Sequence, residues 1–323
     1  MERTIAAALK VVIGCTLVLM QATSAFAGTR TFVDHNGPVQ IPEVPQRIVA
    51  LNDHVLAMPL IELGAPLVGS SGRVRDDGSI YLRGVKDLLG VDFDNSPIEF
   101  VGTYGELDME KIVALNPDLI VAFAYHDAET VEQMRKVAPT VVIDTDQPVL
   151  DFIHDLADAA GVMAEYNKRL SRYQARLAEA RTIIPNASEI QVTVLQAWDG
   201  KLSVSESYGS LGQVIEDIGF RQPNIVQGIE GEAEFSAEAL TDFDGDFIFD
   251  TYRISAGDVP DDARERMAGV LPGWCEVLHA CRNNQYITLP RTFVYSSSFA
   301  SLELNIQLLA THIGGRDFVP YEQ

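Results

Sequence analysis

The stretch "LDMEKIVALNPDLIVA", residues 107–122, has a second version later in the chain, "FSAEALTDFDGDFIFD", residues 235–250. Both versions have Glu at the fourth place, Asp at the twelfth and an apolar run after it. The pattern indicates a helix, a turn (Asn116-Pro117 in the first version) and a strand, and such alternation is typical of a parallel α/β sheet. One version in each half of the chain predicts two similar α/β lobes.

A long helical stretch separates the two versions. Residues 163–184 contain no Gly or Pro, and a helix of this length spans about 33 Å. Charged residues lie on most of its sides, beside a narrow apolar stripe that includes Leu170, Tyr173 and Leu177. A surface helix or a rigid strut would suit this pattern, and the α/β patterning that restarts after residue 184 favours the strut.

The predicted chain has four parts. They are a signal segment (1–27), an N-terminal α/β lobe (28–149), linker helices that include the long helix (150–184) and a C-terminal α/β lobe (185–323). The predicted fold class is α/β, with two Rossmann-like lobes whose sheets are mostly parallel and which one rigid helix joins.

The first residues have the pattern of a secretory signal. Arg3 and Lys10 supply positive charge, an apolar run follows, and the small residues Ala25 and Ala27 suit a cleavage site. The run is shorter than the roughly 20 apolar residues of a membrane span, which leaves a membrane anchor as the weaker alternative. A lipoprotein site at Cys15 is a second alternative. We expect cleavage after Ala27 and an exported mature protein.

The chain is strongly acidic. Its net charge is −22, and removal of Glu2, Arg3 and Lys10 with the signal segment changes this to −23. A protein of this charge is repelled by nucleic acid and by anionic lipid, and the sequence has no basic stripe. We therefore expect no nucleic-acid partner.

Two cysteines, Cys275 and Cys281, follow the signal segment. In an oxidising compartment such a pair favours a disulfide. An unbroken helix would hold the two Cα atoms about 9 Å apart, beyond the roughly 7 Å limit for a bridge. A disulfide therefore requires the helix to end near His279.

Arginine and aromatic residues follow the predicted strands. In parallel α/β sheets, ligands bind beyond the carboxyl ends of the strands. The residues at these ends are Asn52, Asp53, His54, Arg73, Arg75, Tyr125, His126, Trp198, Tyr208, Tyr252, Arg253, Arg291 and Tyr295. Arginines gathered there in an acidic chain indicate an anionic ligand, and aromatic faces suit a bulky, flat ligand. For a single residue, a surface ion pair or core packing is the alternative.

Enzyme signatures are absent from the sequence. It contains no G-x-S-x-G, H-E-x-x-H, Walker A or G-x-G-x-x-G motif, and its six histidines show no metal-ligand spacing. We expect no enzymatic activity, with an exported α/β hydrolase as the remote alternative.

The chain resembles the periplasmic binding proteins of iron-siderophore, haem and cobalamin ABC importers. The segments that carry the resemblance include "RTFVDHNGPVQIPEVPQRIVAL", "LDMEKIVALNPDLIVA", "FSAEALTDFDGDFIF" and "PGWCEVLHACRNNQYITL". The resemblance implies a monomer with two lobes facing across a shallow cleft. It also implies that Glu110 and Glu238, one on each lobe, dock with the ABC permease dimer of the inner membrane.

The resemblance further implies that a ferric siderophore is bound intact, with carboxylate or hydroxamate chelates favoured. The iron would have no direct protein ligand, and no cofactor is expected. The residues expected to bind the ligand are Arg73, Arg75, Arg83, Arg253 and Arg291 as cations, Tyr104, Trp198, Tyr208, Tyr252 and Tyr295 as packing surfaces, and His126. Haem or cobalamin is the alternative ligand, and haem would need an axial Tyr104, Tyr125 or His126.

Overall fold

The structure is a computed structural model that describes residues 28–205, 207–229 and 231–322. The predicted signal segment, residues 1–27, lies outside the described residues. The first element is an antiparallel hairpin of β1 (Thr29–Asp34) and β2 (Gly37–Pro42). The chain reverses at Asn36-Gly37, the hairpin signal of the sequence, and Gly37 has a φ of 115° that favours glycine.

The first half of the chain forms a mostly parallel sheet. Its strands are β3 (Ile48–Ala50), β4 (Leu67–Val74), β5 (Ile80–Tyr81), β6 (Glu99–Thr103), β7 (Glu106–Leu107), β8 (Leu119–Phe123) and β9 (Thr140–Ile143). Within the described residues the order is β7-β6-β4-β3-β8-β9, and β5 pairs with β4. The strands β6, β4, β3, β8 and β9 are parallel, whereas β5 and β7 are antiparallel to their neighbours. The carboxyl ends of the parallel strands therefore share one edge.

Helices of the first half follow the strands and continue into the linker. They are a π-helical turn (Asp53–Ala57), α1 (Met58–Glu62), α2 (Val85–Leu89), α3 (Met109–Ala114), α4 (Ala128–Arg135), α5 (Val149–Ala159) and α6 (Met163–Ile183). Side-chain caps start two of the α-helices, α3 and α4. Asp108 accepts a hydrogen bond from Lys111 N at 3.1 Å, and Asp127 accepts one from Thr130 N at 2.8 Å.

The second half forms a mixed sheet. Its strands are β10 (Val192–Trp198), β11 (Lys201–Val204), β12 (Ala233–Phe235), β13 (Phe247–Tyr252) and β14 (Tyr286–Pro290), in the order β12-β11-β10-β13-β14 among the described residues. The strands β10, β13 and β14 are parallel, and β11 and β12 are antiparallel. A tight turn at Asp199-Gly200, with both φ values positive, makes β10 and β11 a hairpin.

The helices of the second half complete the element list. They are 3₁₀ helices at Ala187–Glu189, Ala237–Phe243 and Ile254–Ala256, and α7 (Gly209–Ile218), α8 (Pro260–Val270), α9 (Trp274–Val277), α10 (His279–Arg282), α11 (Arg291–Tyr295) and α12 (Phe299–His312). No helix in the described part of the chain is long and apolar enough to cross a membrane.

The long helix α6 joins the two halves. It spans about 32 Å and packs against α5 of the first half and against α7 and α12 of the second. Tyr173 and Leu177 of the predicted apolar stripe are buried, and the Tyr173 hydroxyl donates to Asp217 at 2.6 Å. The largest apolar core includes residues of both halves, so the lobes are fixed to one shared base.

The two sixteen-residue stretches take equivalent places in the two sheets. In the first, α3 leads to β8, which pairs with β3; in the second, the 3₁₀ helix Ala237–Phe243 leads to β13, which pairs with β10. Leu240 and Phe243 are buried, and their spacing of three residues puts both on one face of a 3₁₀ helix.

The Asp at the twelfth place has the same role in both stretches. Asp118 accepts from Gln46 N at 2.7 Å and Arg47 N at 2.8 Å, and Asp246 accepts from Gln191 N at 2.6 Å. Each carboxylate therefore holds the entry to the first strand of its sheet.

Cys275 and Cys281 are joined by a disulfide, with the Cα atoms 5.1 Å apart. The single helix predicted over this segment is instead two short helices, α9 and α10. Leu278 between them has extended backbone, with a ψ of 127°. This break, one residue before His279, brings the Cα atoms within bridging distance.

Candidate functional site

The carboxyl end of β3 carries a buried carboxylate shared by two arginines. Asp53 is 1% exposed, and its oxygens lie 3.7 Å from Arg73 Nε and 3.9 Å from Arg83 Nη2. It also accepts a hydrogen bond from Arg83 N at 3.0 Å. Arg73 Nε and Arg83 Nε are buried without a hydrogen-bond partner in the described residues. One negative charge therefore faces two guanidinium groups, each with an unused donor.

His54, the next residue, faces the second half of the chain. Its Nε2 lies 2.8 Å from Ser296 Oγ, and both side chains are buried. Burial, together with the charges of Arg83, Arg73 and Arg291, lowers the pKa of His54 to about 3. The imidazole is therefore neutral, and guanidinium groups from both halves converge on it.

Trp198, at the end of β10, is surrounded by three guanidinium groups. The carbon centres of Arg266, Arg253 and Arg291 lie 4.3, 4.6 and 5.5 Å from the indole ring. Asp258 pairs with Arg266 at 2.9 Å and with Arg253 at 3.5 Å. Arg291 forms no ion pair with any carboxylate that the structure describes. Among the described residues its charge is therefore left for a ligand to neutralise.

Two tyrosines lie beside Arg291. The rings of Tyr208 and Tyr295 are 5.1 Å apart, and the Arg291 guanidinium lies 6.0 and 5.1 Å from them. Tyr208 is buried, which raises the pKa of its hydroxyl, whereas Tyr295 is exposed. Tyr252 is half-buried at the end of β13.

A cavity of about 810 Å³ lies between residues 74–92 of the first half and residues 254–257 and 292–293 of the second. Arg75 and Arg83 line it, and Arg75 stacks on Tyr81 at 4.0 Å. Carboxylates line it too: Asp76, Asp77, Asp87 and Asp92. Lys86, another lining residue, pairs with Asp92 at 3.5 Å. The wall formed by residues 74–92 is thus mixed in charge.

Tyr104 and His126 lie in a separate pocket of about 250 Å³. Their rings are 5.1 Å apart, and burial lowers the pKa of His126. The Tyr104 hydroxyl donates to Tyr125 O at 3.0 Å, and the Tyr125 hydroxyl donates to Asp146 at 2.9 Å. The structure does not bring Tyr104 and His126 into the larger cavity, which Arg75 and Arg83 line.

Glu110 and Glu238 are both exposed, and each lies in the first turn of its helix. Ser236 donates a hydrogen bond to Glu238, which lowers the pKa of that carboxyl. The equivalent strands β8 and β13 follow the two helices, so the carboxylates occupy matching places on the two halves.

Arg266 is not among the residues predicted from the sequence, because no helix is predicted at α8. Pro260 at the start of α8, followed by Asp261 and Asp262, is a recognisable helix-start signal. No local signal, however, indicates that Arg266 packs on Trp198. In the described part of the chain no three or more His, Cys, Asp or Glu side chains are grouped to hold a metal ion.

Two α/β lobes that share a helical base and face each other across a charged cleft are the architecture of a solute-binding protein. The family model described as periplasmic binding protein matches residues 90–292. The chain belongs to the periplasmic binding protein family.

Individual relatives agree with this assignment. The iron(3+)-hydroxamate-binding protein FhuD of Bacillus subtilis (strain 168) is 30% identical over 244 residues, which is 72% of each chain. The Fe(3+)-citrate-binding protein YfmC of the same organism is 27% identical over 227 residues, 68% of each chain. The structure of Staphylococcus aureus SirA complexed with staphyloferrin B has a TM-score of 0.72 at 21% identity. The match covers 88% of this chain and 98% of SirA, and it shows a shared fold.

Proposed function

We propose that this protein captures a ferric siderophore in the cleft between its lobes and delivers it to an ABC permease dimer. Two contacts carry the proposal. In the first lobe Arg73 and Arg83 share the buried Asp53, and the adjacent His54 contacts Ser296, which directly follows the short helix that begins with Arg291 of the second lobe. Around His54, one carboxylate, Asp53, faces three guanidinium groups, so this part of the cleft has a cationic excess in a protein whose net charge is −22. Such an excess suits an anionic ligand.

The ligand is a chelate with exposed oxygen atoms. The unused buried donors Arg73 Nε and Arg83 Nε carry a free-energy cost, which a ligand oxygen would remove. Trp198 and Tyr295 offer flat surfaces beside Arg291 for the organic shell. The relatives named for hydroxamate and citrate chelates support the carboxylate or hydroxamate classes.

Iron enters only as part of this ligand. The residues proposed to bind the ligand are guanidinium and aromatic groups, and these recognise a siderophore's outer atoms rather than a bare Fe³⁺ ion. The protein is therefore a carrier without catalytic residues, and it needs no cofactor of its own.

Delivery uses Glu110 and Glu238. Their matching places on the two lobes suit a permease dimer in which each subunit binds one carboxylate. The signal pattern of residues 1–27 and the acidity of the chain support a monomer that is free in the periplasm.

Tryptophan fluorescence tests ligand capture. The chain has two tryptophans, and Trp274 is buried in the core of the second lobe, so a ligand in the cleft reports through Trp198. We expect a ferric trihydroxamate or ferric citrate to quench the wild type but not Trp198→Phe, with haemin and cobalamin inert in the same panel. Binding of haemin with a shifted Soret band, and no response to any ferric chelate, would refute the proposal.

A further inference from the structure

We propose that His54 and Gly84 of the N-terminal lobe form a contact with α11 that sets Arg291 opposite Arg73 and Arg83, so that His54 is a positioning residue of the cleft. This inference rests on the proposed function for its ligand readout, but its geometric consequence can be measured without a ligand.

The hydrogen bonds across the cleft define the direction of the contact. Ser296 follows α11 directly, and its hydroxyl donates to Thr292 O, within α11. The single hydroxyl hydrogen is then used, so the Nε2–H of the neutral His54 donates to Ser296 Oγ. On its other side, Ser296 O accepts a hydrogen bond from Ser210. His54 therefore forms a hydrogen bond with Ser296, which two further hydrogen bonds fix within the C-terminal lobe.

Glycine at position 84 allows the backbones to come this close. A Cβ added at Gly84 would overlap Thr292 Cγ2, and it would lie 3.6 Å from His54 Cδ2. Gly84 and Ser296 thus both contact the short helix α11. Arg291 is the first residue of this helix. Movement of this helix would move the Arg291 guanidinium group relative to Arg73 and Arg83.

The charges around His54 explain why the hydrogen bond between His54 and Ser296 uses a neutral imidazole. Arg73, Arg83 and Arg291 face the imidazole, and Asp53 lies next to it in the chain. A protonated imidazole would add a further cation to this group and repel it. A neutral donor fixes the distance between the lobes and leaves the positive charge of the arginines available to a ligand.

The first test measures the distance between the lobes. Nitroxide labels at Val113→Cys on α3 and Ala268→Cys on α8, both exposed helix positions, report it by double electron–electron resonance. We compare Ser296→Ala and Gly84→Leu with the matched control Gly90→Leu. Gly90 ends α2 with a φ of 72°, close to the 74° of Gly84, but has no atom within 4 Å of an added Cβ. Leucine is used because its isobutyl group is larger than a methyl group, so rotation of the Thr292 side chain relieves less of the overlap.

We expect Ser296→Ala and Gly84→Leu to shift or broaden the distance distribution, and Gly90→Leu to match the wild type. Unchanged distributions in both cleft variants would overturn the proposal. Circular dichroism establishes that each variant is folded. If one of the two cleft variants fails to fold, the other still tests the proposal.

The second test is a double-mutant cycle on affinity for the ferric chelate that binds best in the fluorescence panel. Arg291→Gln should weaken binding about tenfold in the wild type but less than about twofold in Ser296→Ala, because the guanidinium group is then already displaced. An equal loss in both backgrounds would overturn the positioning role. If no chelate binds the wild type, the proposed function fails, while the distance measurement still decides the contact.

Discussion

Glu62, the last residue of α1, joins the two lobes and the long helix. Its carboxylate accepts hydrogen bonds from Phe299 N and Ala300 N, each at 2.8 Å, at the start of α12. Arg169 of α6 donates a third, at 3.1 Å. Burial outweighs these donors and raises the pKa of Glu62 from 4.5 to about 6.

The substitution Glu62→Gln removes this ionisation. A carboxyl group whose pKa is higher in the folded than in the unfolded protein stabilises the fold fully below pH 4.5. That contribution is lost as the pH rises through 6. The difference between the two pKa values corresponds to about 2 kcal/mol. Between pH 4 and pH 7, the wild type should therefore lose about 2 kcal/mol of unfolding free energy relative to Glu62→Gln.

Urea unfolding followed by circular dichroism at several pH values measures this difference. The control is Glu165→Gln, since Glu165 contacts the same Arg169, at 3.2 Å, from the solvent side. A hydrogen bond from Lys168 lowers the pKa of Glu165. The contribution of Glu165 to the unfolding free energy is therefore lost as the pH falls, so the difference between wild type and control rises with pH. The difference curve is the unfolding free energy of the wild type minus that of Glu62→Gln. If this difference does not change with pH, or rises with pH, the reasoning is refuted.

Three further outcomes are expected. Arg291→Gln should weaken ferric-chelate binding by about tenfold in a fluorescence titration, because it removes a charge-assisted contact. Joint charge reversal, Glu110→Lys with Glu238→Lys, should abolish uptake of the labelled chelate by cells but leave its affinity for the purified protein unchanged. Joint replacement of Cys275 and Cys281 by Ser should lower unfolding free energy by about 2 kcal/mol and the Tm by about 4–8 °C, because a short closed loop is released.

The first two of these outcomes have matched controls. Arg282→Gln removes an exposed guanidinium outside the cleft and should leave affinity intact; an equal loss there would argue against a specific role for Arg291. Charge reversal at the exposed Glu129 and Glu265 should preserve uptake, and a loss of affinity in the Glu110/Glu238 variant would contradict a docking role. For the cysteine variant, an unchanged Tm in calorimetry would show that the disulfide does not constrain the unfolded chain.

Much of the fold follows from local signals in the sequence. The helices before Gly64 and Gly219 end at glycines with positive φ, and the hairpin turns at Asn36-Gly37, because these backbone conformations favour those residues. The Asp199-Gly200 hairpin carried an equally clear signal and was missed. The antiparallel strands β11 and β12 were therefore absent from the prediction, although the sheet remains α/β.

The arrangement of the site depends on contacts between distant parts of the chain. Arg73 and Arg83 meet at Asp53 because β4 lies beside β3 in the sheet. Arg291 reaches the same place only because α11 packs across the cleft against His54. No local pattern specifies that packing, or the separate pocket that contains His126.

Anomalous diffraction at the iron edge from crystals of the complex with the best-binding ferric chelate tests the central claim most directly. We expect one iron peak between the lobes, with Arg83 and Arg291 contacting the chelate and every iron ligand supplied by the siderophore. An iron peak on an outer face of the protein, or one within about 2.2 Å of a protein side chain such as His126, would contradict the account.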